Sequence, residues 1–420
     1  MASNTYLEIL CAEAQRFPQP PPEAATELQE LRAAAAELAS TLTCLPGQRS
    51  SRLFAQHWKS LKAALQALRA ELEAQGRAAV SDEFRWLQEN TRLLNNALQD
   101  TAELAKVLRK TPQVRTPSGD ALPRVVAVVQ GYLDAVEYRF DTQAFAAYLD
   151  AFQETMPLNV EEVWGLVLCL KLALVEEVAA RALRLLRDDP DGFYGVADCL
   201  RSLHHVGQTS WKEILEPLIL VDRVLREDPA GAYPAMDFES REGYWHAVAN
   251  IAAHSALSEM DIAIEALALA RKASQASKRN GTNPRLVVRR AHVGYYLVGD
   301  GTPALHRKAG FRQPLSQWIA SFLRRHPNAY YLSGIYLVTL LVVAADLLLV
   351  IFRSSAPGAL LLAIVALLLP SSQSAVEVMN WLTTSLLPVQ LIPKLDFSEG
   401  IPDDCVTMVA VPALLLNESQ

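Results

Sequence analysis

The sequence predicts a mainly α protein: an N-terminal all-α domain, then a transmembrane helical hairpin, then the first strand of an incomplete α/β domain. Over roughly the first 275 residues, apolar side chains recur at three and four in segments dominated by Ala, Leu, Glu, Gln, Lys and Arg. Ala329–Phe352 is then an almost unbroken apolar run of 24 residues. Cys405–Leu416, rich in β-branched and apolar residues, is the one clear strand signal.

Composition fits that division. Hydrophobic residues make up 51% of the 420, charged residues 20%, and Gly and Pro number 18 and 23. These values exclude a collagen-like chain, a disordered chain and a small disulfide scaffold. Lys and Arg number 39 against 46 Asp and Glu, a net charge of −7, so no overall basicity points to nucleic acid. The mean hydropathy of +0.11 is high for a soluble chain and low for one that is all membrane. It suits two unlike halves. The five cysteines, Cys11, Cys44, Cys169, Cys199 and Cys405, are odd in number and widely separated, with no C-x-x-C pair. They predict small apolar residues in a reducing compartment rather than disulfides or a zinc ribbon. The N-terminus MASNTYLEILCAEAQRF has no basic stretch ahead of an apolar one, so a cleaved signal peptide is not expected.

The all-α domain is expected over 1–275. In WKSLKAALQALRAELEAQG, Leu61, Ala64, Leu65, Leu68 and Leu72 share one face and Gly76 suits the stop. Ser81, followed by Asp82 and Glu83, offers the next start. Thr111–Pro123, with three prolines and a glycine, predicts a loop. Asn159 and Glu162 are spaced as a capping box ahead of VWGLVLCLKLALVEEVAARAL. Lys171 in the middle of that run and acids at both ends predict a buried core helix rather than a span. A helix follows Trp211, and Asp228–Gly231 (DPAG) predicts a turn before helices through about Arg271. No period is regular enough for a repeat.

Composition shifts at Arg271. A basic juxtamembrane segment over 276–328 follows, part of a run of Arg271, Lys272, Lys278, Arg279, Arg285, Arg289, Arg290, Arg307, Lys308, Arg312, Arg324 and Arg325. The first transmembrane helix, 329–352, would rise about 36 Å against a hydrocarbon core of about 30 Å. Tyr330, Tyr331 and Tyr336 suit the interface belt. The tight connection Arg353–Pro357 turns the chain back into a second span, 356–378, whose apolar core Gly358–Pro370 must borrow residues to Val378 or tilt at Pro370. An interfacial helix and loop over 379–404 and the strand segment 405–420 complete the chain. Basic residues ahead of the first span, with only Arg353 in the connection, predict a cytoplasmic N-terminal domain and a cytoplasmic C-terminus. A lone parallel-type strand leaves its backbone unpaired, so an α/β fold opening at 405 is expected to be incomplete.

No catalytic, cofactor or metal site is predicted. The chain lacks G-x-x-x-x-G-K-[ST], G-x-S-x-G, H-E-x-x-H and, after a strand, G-x-G-x-x-G. Cys199 with His204 and His205 has ligand-type residues but no second cluster, and a solvated helix end accounts for the histidines. His246 and His254, eight apart, are assigned to packing or surface roles on one helix. Asp346 within the first span suggests pairing or protonation, with snorkelling or a helix contact as alternatives. The basic stretch suits lipid headgroups or topology better than nucleic acid. The sequons at Asn280 and Asn417 fall on the cytoplasmic side and are discounted.

Several segments together resemble the N-terminal portion of cyclic β-1,2-glucan synthases, large bacterial inner-membrane enzymes. They are DPAGAYPAMDFESREGYWHAVANIA (Asp228–Ala252), LSEMDIAIEALALA, HVGYYLVGDG (His292–Gly301), WLQENTRLL near Trp86, MPLNVEEVWGLVLCLKLALVEE near Met156, and LIPKLDFSEGIPDDCVTMVAVPALLL. They fall in the family's order; Thr111–Pro123 fits poorly and the membrane segments match in character only. The resemblance implies a processive glycosyltransferase that builds β-1,2-glucan from UDP-glucose with a divalent cation (Mg or Mn), and a C-terminal glycoside-phosphorylase-like region. In that family the metal- and nucleotide-binding aspartates, the base and Q-x-x-R-W follow the segment that VAVPALLL opens. Asp396, Asp403 and Asp404 precede it and are not assigned those roles. The implied protein is the helical, membrane-anchoring part of such a synthase. It would be inactive alone and partnered by inner-membrane lipids and the missing catalytic region. The alternative is a membrane-anchored scaffold without enzymatic activity.

Overall fold

The computed structural model describes residues 22–45, 52–74, 87, 89–108, 111–117, 119, 121–185, 195–280, 284–351, 357–387, 392–398, 400, 401, 403 and 406. Gly76, Ser81, Arg353 and all of the expected strand 405–416 except Val406 lie outside them. The chain divides into two units. The first takes in residues to Ala235, Tyr244–Ala252 and Leu257–Leu305; the second takes in Met236–Gly243, Ala253–Ala256 and His306–Gln420.

The first unit opens with α1 (Pro22–Thr41), β1 (Thr43–Leu45) and α2 (Arg52–Ala74). Of the expected face of α2, Leu61, Leu65 and Leu68 are buried. After α3 (Thr91–Asp100) and α4 (Leu104–Leu108) comes a correction. Thr111–Pro123 is no irregular loop but a β-hairpin of β2 (Gln113–Arg115) and β3 (Ala121–Pro123), to which β1 adds in antiparallel register, Cys44 opposite Val114. Strands of three residues are too short to show period-two alternation. Gly119, at φ +93°, donates its amide to the Thr116 carbonyl (2.9 Å) in the connection, a backbone region that favours glycine.

The hairpin delivers α5 (Arg124–Ala135), followed by α6 (Thr142–Thr155), α7 (Val160–Leu185) and α8 (Val196–Gln208). Asp141 caps α6, its carboxylate accepting from the Ala144 amide at 2.8 Å. The long apolar helix α7 is a core helix as expected: Val163, Leu166, Leu170, Leu174 and Val178 are buried. Lys171 stays at its edge and pairs with Asp100 at 2.5 Å. Then follow α9 (Trp211–Leu215), α10 (Leu220–Leu225), α11 (Phe238–Ala253) and α12 (Glu259–Asn280). Residue 275 falls inside α12. Beyond it, α13 (Pro284–Ala291) and α14 (Gly294–Leu297) belong to the first unit, where Val293, Tyr296 and Leu297 are buried.

The second unit carries α16 (Leu315–Arg325), α17 (Pro327–Ile351) and α18 (Pro357–Leu386), with α15 (Thr302–Ala309) leading into it. The helices α17 and α18 lie side by side. Tyr331 Oη donates to Asn380 Oδ1 at 2.8 Å, and a Cβ on Gly334 would meet Met379 Sδ at 2.6 Å. Contacts between the start of one helix and the last third of the other make the pair antiparallel. Helix α18 passes through Pro370 without interruption, and no break separates 378 from 379. Over Pro327–Leu348, α17 is long and apolar enough to cross a membrane, with only 6% of its most apolar window buried. A core helix of that composition would be mostly covered, as α7 is.

Candidate functional site

The motif residues converge on three polar knots, two in the first unit and one in the second. The first knot joins the start of α5 to the start of α7. Arg124 Nε donates to Glu162 Oε1 at 2.9 Å, and its Nη2 donates to Glu162 Oε2 in a close ion pair. Glu162 Oε2 also accepts from the Asn159 amide at 2.9 Å, the reciprocal half of a capping box. One residue on, the Val160 amide donates to Glu259 Oε2 at 2.8 Å. Burial pushes the Glu259 carboxyl up to about 7, the Val160 hydrogen bond opposing and the nearby Glu162 and Glu161 charges adding to it. MPLNVEE and LSEMD, nearly a hundred residues apart, therefore meet.

The second knot is built from DPAGAY, YWHAV and HVGYY. Asp228, whose side chain is fully buried, accepts from the Tyr233 amide (3.2 Å), the Val293 amide (3.0 Å) and His292 Nδ1 (2.7 Å). Burial alone would raise this carboxyl. The His292 hydrogen bond and charge, with the two amides, outweigh burial and hold it below the usual carboxylate range. The DPAG turn that presents it closes with the Gly231 amide on the Asp228 carbonyl (2.9 Å), Gly231 at φ +69°. On the other side of the imidazole, His292 Nε2 lies 3.1 Å from Tyr244 Oη. Gly294 is required there, since a Cβ would come within 2.2 Å of that hydroxyl. Nearby, Asp222 Oδ1 accepts from Tyr233 Oη at 2.7 Å and Trp245 Nε1 at 3.2 Å, while Arg226 Nε donates to Oδ2 at 2.5 Å.

An Asp–His–hydroxyl series invites comparison with a nucleophilic triad, but its terminal group is wrong for that task. Tyr244 is buried, and burial with the neighbouring Asp228 charge pushes its hydroxyl up to about 12. Nucleophilic activation requires a lowered pKa or an accessible base. The arrangement locks three chain segments together.

The third knot lies within the second unit. The Asp237 amide donates to the Lys394 carbonyl (3.1 Å), and the Lys394 amide donates to Ser240 Oγ (2.8 Å) beside a Met236–Leu395 bridge. Arg241 Nη1 donates to the Met236 carbonyl at 2.8 Å. MDFESR and PKLDF are thereby strapped together.

The residues weighed from sequence fall elsewhere. Cys199 is buried, its thiol pushed up to about 11 mainly by burial, whereas His204 and His205 are exposed and the His205 ring lies 5.2 Å from Phe140. These three do not gather. His246 is exposed on α11; His254 lies just past the end of that helix at Ala253, its ring 5.9 Å from Phe311, so the two do not share a helix. Asp346 is half-buried on α17, Asn280 ends α12, and Asp396 and Asp403 are exposed, with Asp396 Oδ1 accepting from the Ser398 amide. Asn417 and Asp404 lie outside the described residues. Among the described residues, no group of three or more His, Cys, Asp or Glu is placed to hold a metal ion. Sequence reasoning missed Asp222, Asp228, Glu259 and His292 as a set, although the last three lie in segments that carried the resemblance.

The described residues make a mainly helical protein with one helix long and apolar enough to cross a membrane. The chain is similar to the cyclic beta-(1,2)-glucan synthase NdvB of Rhizobium meliloti (strain 1021), 22% identical over 92% of this chain and 16% of that protein. It thus spans 16% of the length of that curated relative, and no family model matches it.

Proposed function

We propose that this chain is the helical and membrane-anchoring part of a UDP-glucose-dependent cyclic β-1,2-glucan synthase, inactive by itself, which frames a transferase supplied in cis or as a split partner. The observation that carries this reading is the coincidence of the family-like motifs with the residues that close the three knots. Such motifs hold a scaffold in shape and leave the chemistry elsewhere. UDP-glucose and Mg or Mn belong to the catalytic region, as the resemblance to the synthase family implies. Helices α17 and α18 form the membrane hairpin: their paired faces meet at Gly334 and Met379 while Leu340, Leu341, Leu361, Leu362, Val365 and Leu369 face outward. Basic residues ahead of α17 favour a cytoplasmic helical domain and C-terminus at the inner membrane in this reading.

Purified 420-residue protein given radiolabelled UDP-glucose with Mg or Mn is expected to make no glucan. Incorporation without any partner would overturn the reading. The coding DNA past Gln420 separates it from a scaffold that has lost the enzyme: a continuation carrying D-x-D and Q-x-x-R-W supports the synthase. Absence of a continuation, with stable expression of the short chain, supports the scaffold.

A further inference from the structure

We infer that α16 lies in the plane of the bilayer surface, its apolar face set at the boundary between headgroups and acyl chains and its arginines at the headgroup phosphates. The inference rests on the membrane reading of α17 and extends it to a helix that sequence periodicity had left within the basic segment.

Leu315, Trp318, Ile319 and Phe322 follow at i, i+3, i+4 and i+7, which puts them on one face. That face is not a core face. Leu315 is 79% exposed, Trp318 54% and Phe322 51%, and the Trp318 and Phe322 rings stack on one another at 5.8 Å. Gln317, Ser321 and Arg324 occupy the other side, and Arg324 with Arg325 closes the last turn. Large apolar side chains this exposed and this contiguous mark a surface made for another phase.

Position and charge select the partner. Only His326 separates α16 from α17, and its backbone (φ −128°, ψ 57°) leaves the helical region, so α16 does not continue as part of the same rod. A short amphipathic helix that close to an apolar span sits at the depth of the lipid headgroups. No Asp or Glu occurs between Asp300 and Asp346, whereas Arg307, Lys308, Arg312, Arg324 and Arg325 all fall there. Trp and Phe on one face with arginine on the flank is the residue choice of an interfacial helix.

The test uses the full chain in nanodiscs of phosphatidylcholine and phosphatidylglycerol, with Cys11, Cys44 and Cys405 replaced by serine and Cys169 and Cys199 left buried. Spin labels are placed one at a time by I319C, F322C, S321C and L340C, and collisions with oxygen and with a water-soluble nickel chelate are compared. Labels at 319 and 322 should favour oxygen over nickel by roughly threefold relative to 321, as expected of a face set about 5–10 Å into the boundary between headgroups and acyl chains. The 340 label should sit deeper still. If 319 and 322 are as open to nickel as 321 while 340 is deep, the inference fails and the membrane reading of α17 stands. If 340 is itself open to nickel, the membrane reading fails. Labels at 319 and 322 shielded from both reagents would mean that a protein partner covers the face, which also overturns the inference.

Discussion

Two helices of nearly equal length, α7 with 26 residues and α17 with 25, are both strongly apolar, yet they meet opposite environments. Helix α7 is covered on most sides, and its start is tied down by Glu162, Arg124 and Glu259. Helix α17 carries one acid, Asp346, over its length and shows its leucines to the outside. Apolar length alone therefore does not decide whether a helix is a core element or a span. What separates them is the placement of charge: α7 has a lysine at mid-length and a buried ion pair at its start, so protein must surround it. A span can have neither without a cost of several kcal/mol.

Removing one partner of the Arg124–Glu162 pair should expose that difference most strongly. Glu162→Ala leaves a buried guanidinium without its counter-ion and uncaps the Asn159 amide, an expected loss of about 3–5 kcal/mol. Hydrogen exchange on the full chain in detergent should show lost protection in α5 and α7, with α17 and α18 unchanged. Replacing both partners, by Arg124→Met with Glu162→Leu, should recover much of the loss, because an apolar pair leaves no charge stranded. Equal loss in both units would mean that the two long helices are not held by separate means.

Asp228→Asn comes next, at about 3 kcal/mol, because the amide cannot accept all three hydrogen bonds and brings an N–H group toward donors. The carboxyl sits below its ordinary value. Its stabilisation is thus fully present above the unfolded value near 4 and disappears as pH falls through the folded one. Urea midpoints measured downward from pH 7 should show a steeper acid limb for the native chain than for D228N.

Much of this architecture was legible in the residues, and the failures have physical causes. The Asn159–Glu162 spacing announced the capping box, and Lys171 with its flanking acids announced a core helix, because both features are local. The hairpin at Thr111–Pro123 was hidden because its strands are three residues long and its prolines resemble those of a loop. His292 and Val293 were lost in a basic run, since nothing local tells that their partner is Asp228, 64 residues away for the histidine. Motif order carried the resemblance without revealing that the motifs touch. The interfacial character of Leu315–Phe322 was masked by averaging with the arginines around it.

Glu259 offers an effect of opposite sign. Its carboxyl is near 4 when unfolded and about 7 in the fold, so between those values the folded chain holds a proton that the unfolded chain has released. Stability is then full below about pH 4 and falls as pH rises through 7. Glu259→Gln keeps an oxygen for the Val160 amide and removes the titration. At pH 8 it should be more stable than the native chain by on the order of 2 to 3 kcal/mol, with the two converging near pH 4. A native chain with no fall in urea midpoint between pH 5 and 8 would show that Glu259 is ionised in the fold.

The smallest effect belongs to the other side of the comparison, where packing replaces ion pairs. Gly334→Ala places a methyl where Met379 Cε and Sδ now lie, at 2.4 and 2.6 Å from the new Cβ. Methionine bends more readily than backbone, so the expected cost is only about 1 kcal/mol. Pairing is best read by cross-linking Tyr331→Cys to Asn380→Cys with a short bismaleimide, which spans the gap that the tyrosine side chain now bridges. Gly334→Ala should slow that cross-link, and Gly334→Ala with Met379→Ala should restore it by returning the space. A cross-link indifferent to residue 334 would mean that α17 and α18 do not rest on each other there. The antiparallel pair would then be held by its connection and its surroundings rather than by its own faces.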